Sequence, residues 1–151
     1  MKWLIVIIML PILLLAGALL MNRAPLWQEP GPLTRLQLYL TTHVAATRPD
    51  HERPELRTLL FDQPLSEVRE RVVTAMQQLG WQQIRSDGEQ VRAVVVTPLF
   101  RFKDDVEVRL RSNENGVQVD VKSESRVGKG DLAANTRHIL DLYHRLETAS
   151  E

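Results

Sequence analysis

At 151 residues, 44% hydrophobic and 25% charged, the chain has room for one domain and a short extra segment. Taking Lys2 and Arg23 from the 19 basic residues leaves 17 against 19 acids over residues 24–151. That balance excludes the basic footprint nucleic-acid binding needs, and the lack of cysteine excludes disulfides, a lipid-modified cysteine, a thiol nucleophile and cysteine-held zinc.

Trp3 to Met21 reads WLIVIIMLPILLLAGALLM and carries no charge. As a helix this run would cover about 28 Å, near the hydrocarbon thickness of a bilayer, so residues 1–23 are expected to form a transmembrane helix. Pro11 is compatible with that, because membrane helices tolerate proline. A cleaved signal peptide ending near Ala16-Gly17-Ala18 is the competing reading. The apolar run continues through Leu19-Leu20-Met21, which favours an uncleaved anchor. Trp3 and Trp27 flank the run as interfacial aromatic residues do. Lys2 and the amino terminus slightly outweigh Arg23, which orients the N-terminus towards the cytoplasm. The expected location is the inner (cytoplasmic) membrane, single-pass, with the domain periplasmic. Anchor and signal both export the domain.

Residues 24–54 begin with APLWQEPGP, a proline-rich linker that suits neither regular helix nor central strand. Leu33, Leu36, Leu40 and Val44 then fall at helical spacing, predicting a short helix over 33–46, although Leu36, Leu38 and Leu40 also fit a strand. Pro49 and Pro54 mark a loop. The α+β domain is assigned to 55–148. Leu56–Asp62 is a predicted strand. Leu65, Val68, Val72, Ala75 and Leu79 share one face of a helix that Gly80 stops. Trp81–Arg85 and Gln90–Thr97 flank the turn Ser86-Asp87-Gly88 as a hairpin. Asp105–Arg111 alternates strictly, and Val117, Val119 and Val121 repeat the alternation after the turn at 113–116. A last helix is predicted over 131–147, capped by Asp131, with Leu132, Thr136, Ile139, Tyr143 and Leu146 as its apolar stripe. These elements predict a mostly antiparallel sheet of about five strands with two helices on one face.

Two blocks carry a family resemblance: FKDDVEVRL at 102–110 and VDVKSESRVGKGDLAANTRHI at 119–139. They resemble the signature of the domain-of-unknown-function 1499 family, with Phe102, Asp104, Asp105, Val106, Ser123, Ser125, Arg126, Gly128, Asp131 and Asn135 matching. HVAATRPDH and Leu79-Gly80-Trp81 are similar to one branch, so the likeness covers about 36–146. Lys122 stands where an arginine is usual and Ala133 where a glycine is usual. The cysteine-containing Ser-Pro-Asn segment of many relatives is missing. The resemblance implies a bacterial or plastid protein, often membrane-tethered. It implies no reaction, substrate or cofactor.

The densest polar constellation is Asp104, Asp105, Glu107, Ser123, Ser125, Arg126, Asp131 and Asn135. One reading is a small polar pocket where strand ends meet the start of the last helix. The other is a buried Arg–Asp–Asn network that locks the last strand to the last helix. Adjacent Asp104 and Asp105 point to opposite faces of a strand, so they do not share one pocket. Gly128-Lys129-Gly130 before a helix resembles an anion loop, but the Asp131 carboxylate competes for the same N–H groups. No two of His43, His51, His138 and His144 have the i, i+4 spacing of a helical zinc motif, and no metal or cofactor is expected. Ser123 or Ser125 with His138 and an aspartate lacks the G-x-S-x-G elbow of a hydrolase. The function read from this is non-enzymatic binding of an envelope protein, a lipid or a small ligand at the membrane. The alternative is a hydrolase-like enzyme using Asp104, Ser123 and Arg126.

Overall fold

The computed structural model describes residues 2–98 and 100–148, with side chains from Val6 onward. Two helices lead: α1 (Lys2–Met21) and α2 (Pro32–Thr41). β1 (Val44–Ala46), a 3₁₀ turn at Pro54–Leu56 and β2 (Leu59–Phe61) follow. Next come α3 (Leu65–Gln78), β3 (Gln82–Asp87), β4 (Gln90–Val96), β5 (Lys103–Asn113), β6 (Gly116–Ser125) and α4 (Ala134–Thr148).

The strands form one antiparallel sheet in the order β1-β6-β5-β4-β3, with β2 also paired to β6. β1 lies along Lys122–Glu124 and β2 along Val117–Val119, so two short strands share one edge of β6. The long β5–β6 hairpin sets the register, pairing Val108 with Val121 and Asp104 with Ser125. Its alternation has a direct cause. Val106, Val108 and Leu110 face Val117, Val119 and Val121 on the inner side, while the residues between them are charged or amide and face outward.

α3 and α4 cover the inner side. Val68, Val72, Ala75 and Met76 of α3 join Ile139, Leu142, Tyr143 and Leu146 of α4 against the inner row of the strands, in one continuous core. Both helices therefore bury their apolar stripe against the sheet, and the other sheet face is left to ion pairs such as Arg92–Glu107 and Lys122–Glu124.

The structure corrects the expected architecture in two respects. The sheet has six strands among the described residues instead of about five. The added strand is β1, which ends the helix predicted over 33–46 at Thr41. Thr42 turns extended and Val44–Ala46 finds ladder partners on β6, which outweighs the helical spacing of Val44.

The second correction concerns the expected transmembrane helix. Among the described residues no helix is long and apolar enough to cross a membrane. The last turns of α1 are committed to the domain. Ala18 and Leu19 are buried, Leu15 and Leu19 pack with Tyr39 and Ala133, and Asn22 Nδ2 donates to Leu132 O at 2.9 Å. The Trp3 side chain lies outside the described residues, and Trp27 is exposed.

The predicted linker is held down by one cation. Arg35 of α2 is fully buried, donates to the carbonyls of Gln28 and Glu29, and pairs with Glu55 at 2.6 Å.

Candidate functional site

Alternation along β5 and β6 decides where the signature residues go. Asp104, Ser123 and Ser125 point to the helix side, and Asp105, Glu107 and Glu124 point to the open side. The predicted constellation is therefore split by the sheet.

On the helix side, Asn135 is the hub. Its side-chain carbonyl accepts from Ser123 at 2.6 Å. Its amide donates to Ser125 Oγ at 2.8 Å and to the His43 carbonyl at 2.9 Å. Every polar atom of a fully buried side chain is thus matched, which is what burial of an amide demands. Asp131 accepts from the backbone N–H groups of Ala133 and Asn135 at 2.9 and 3.0 Å, so it caps the approach to α4, which starts at Ala134 instead of Asp131. Those donors are the ones an anion on the Gly128–Gly130 loop would need. The carboxylate already holds them. Burial pushes the Asp131 carboxyl above the ordinary carboxylate value, and the charge of Asp104 adds to the rise.

On the open side, Arg126 makes a two-pronged pair with Asp105 at 2.8 and 2.6 Å. The Arg126 guanidinium holds the Asp105 carboxyl below its usual range. Arg126 is exposed and touches neither Asp104 nor Asn135 through any hydrogen bond among the described residues. Asp104, Ser123 and Arg126 do not converge on one point, and the locking network contains no arginine.

Asp104 has a partner outside the predicted polar constellation. His138 Nε2 lies 2.9 Å from Asp104 Oδ2, with both groups buried, and Trp81 stands edge-on to the imidazole at 6.3 Å between centroids. The signal was present in the sequence. His138 lies three residues after Asn135 and four before Leu142, on the buried side of α4. Asp104 Oδ1, by contrast, is buried with no hydrogen-bond partner among the described residues.

Beside Asp104 lies a groove of about 110 Å³ between the end of α1, the β4–β5 loop and the β6–α4 loop. Met21, Phe100, Phe102 and Val127 form its walls, and Asp104, Ser125, Asp131, Asn22 and Thr97 its polar part. The Phe100 and Phe102 rings stack at 5.4 Å. No group of three or more metal-ligating side chains occurs among the described residues.

Residues 31–146 match a family described as protein of unknown function (DUF1499). The chain belongs to the DUF1499 family. The match begins just before α2 and ends at the last buried leucine of α4, so the whole sheet, α3 and α4 as far as Leu146 fall within it. Of the signature residues, Phe102, Asp104, Ser125 and Asp131 line the groove, and Ser123 and Asn135 lie in the buried network behind it. No curated protein matches the chain.

Proposed function

We propose that this DUF1499 chain is a binding domain that works against a lipid surface, with α1 in contact with the acyl chains. One observation carries the reading. Val6, Ile7, Ile8, Met9, Leu10, Ile12, Leu13 and Leu14 are each between 44% and 67% exposed. At 100° per residue these positions point in every direction around the helix. A helix that docks in a protein groove shows one apolar stripe, whereas a helix apolar all round needs an apolar medium around it.

Vesicle flotation of the full chain tests the reading. The wild type is expected to rise with phosphatidylcholine–phosphatidylglycerol vesicles, and the Ile8→Lys, Leu13→Lys double variant to remain in the aqueous load. Recovery of the wild type in the load, or equal flotation of the double variant, refutes lipid contact through α1.

A further inference from the structure

We infer that the groove beside Asp104 is a binding site for a small organic ammonium ion, an apolar body carrying a protonated amine that donates to the free Asp104 oxygen. This proposal stands on the groove and goes beyond lipid contact by α1.

The walls set the body of the ligand. Phe100, Phe102, Val127 and Met21 are between 45% and 60% exposed at the mouth, an unusual concentration of large apolar side chains for a loop region. A volume of about 110 Å³ suits a compact hydrocarbon of a few carbons.

The polar part sets the head. Asp104 and Asp131 are both carboxylates, and no lysine, arginine or histidine is among the lining residues described. Asp104 Oδ2 is taken by His138, whereas Oδ1 has no donor although the side chain is only 1% exposed. A carboxylate oxygen without a donor costs free energy in such a setting, and an N–H donor removes that cost. Ser125 Oγ, which accepts from Asn135, keeps its own proton for a second contact. The stacked Phe100 and Phe102 rings present π-electron density to a cation. Asp131 adds a second carboxyl group to the lining, held in place by the Ala133 and Asn135 N–H groups. An anion meets repulsion here, and a neutral hydrocarbon leaves Oδ1 as it was.

Isothermal titration of the full chain in a nonionic detergent decides the matter, using cyclohexylammonium, cyclohexanol and cyclohexanecarboxylate as matched probes. Cyclohexylammonium is expected to bind, cyclohexanol roughly tenfold to a hundredfold more weakly, and the carboxylate not at all. Asp104→Asn is expected to bring cyclohexylammonium down to the level of cyclohexanol. Phe100→Ala, at an exposed wall position that leaves the core intact, is expected to weaken both binders together. No heat with cyclohexylammonium, equal affinity for the three probes, or binding indifferent to Phe100→Ala would each overturn the assignment.

Discussion

Ser123 on β6 donates its hydroxyl to the side-chain carbonyl of Asn135 on α4 at 2.6 Å, and both residues are fully buried. The same amide reaches the His43 carbonyl just before β1. One side chain therefore ties β6 and α4 to a segment far upstream in the chain. Removal leaves the buried Ser123 hydroxyl without its partner and takes one of two donors from the His43 carbonyl, which Ser125 N–H also reaches. Asn135→Ala is expected to cost about 2–4 kcal/mol, read as a lowered urea midpoint with an unchanged slope.

Arg126→Ala gives the opposite expectation, although Arg126 belongs to the same signature block. Its pair with Asp105 stands on the open face of the sheet. Exposed pairs gain little over hydration and are screened by salt. The unfolding midpoint should stay where it is in physiological salt. A drop comparable to that of Asn135→Ala would show that the open face carries a lock after all.

Gly130 matters for space. A Cβ there would run into the backbone carbonyl of Leu40 at the end of α2, where Asp131 N–H and Leu132 N–H bond to Thr42 and Tyr39 carbonyls at 3.1 and 3.0 Å. Gly130→Ala must push two backbones apart, at about 1–3 kcal/mol or more. Amide hydrogen exchange should report faster opening of Tyr39–Thr42 and Asp131–Ala133 together. Unchanged exchange there would mean the loop has another way to pack.

Tyr143 gives an alkaline prediction. Its hydroxyl donates to the Val119 carbonyl at 3.1 Å, and burial pushes the phenol from 10.0 to about 12. A raised folded value means the folded state holds the proton more tightly than the unfolded chain does. The associated stability is whole below about pH 10 and is lost as pH rises through about 12. Wild-type stability should fall across that window, and Tyr143→Phe should fall less steeply, at a constant cost of about 0.5–1.5 kcal/mol for the lost bond. Denaturation curves collected up to about pH 11 make the comparison.

The periodic parts of the fold were readable because burial on one face leaves a pattern. Val106–Leu110, Val117–Val121 and the stripe from Val68 to Ala75 announce their faces without help from tertiary structure. β1 was not readable. Three residues cannot show a period, and Val44–Ala46 is a strand only because β6 offers it ladder partners. The docking of α1 was hidden for a related reason, since Leu15 and Leu19 look the same in sequence whether lipid or Tyr39 covers them.

The site was half legible. Opposite facing of Asp104 and Asp105 follows from strand geometry alone. The placement of Arg126 with the buried group failed because the alternation of β6, carried one residue past Ser125, puts Arg126 on the open face beside Asp105. Ala133, standing where the family pattern has glycine, occupies a φ of 70°, a backbone region in which glycine is at ease and an alanine is strained. The family difference thus falls on a residue whose backbone explains it.

The kink in β3 shapes one rim of the sheet. Pairing slips between Gln82 and Arg85, Gln83 sits at a φ of 52°, and most of the strand is exposed and polar. At the far border of the sheet, β1 and β2 are three residues each. Neither rim offers the long flat template on which a second chain could add a strand and begin a fibril. A bulged polar rim and a rim of two short strands both disfavour strand addition.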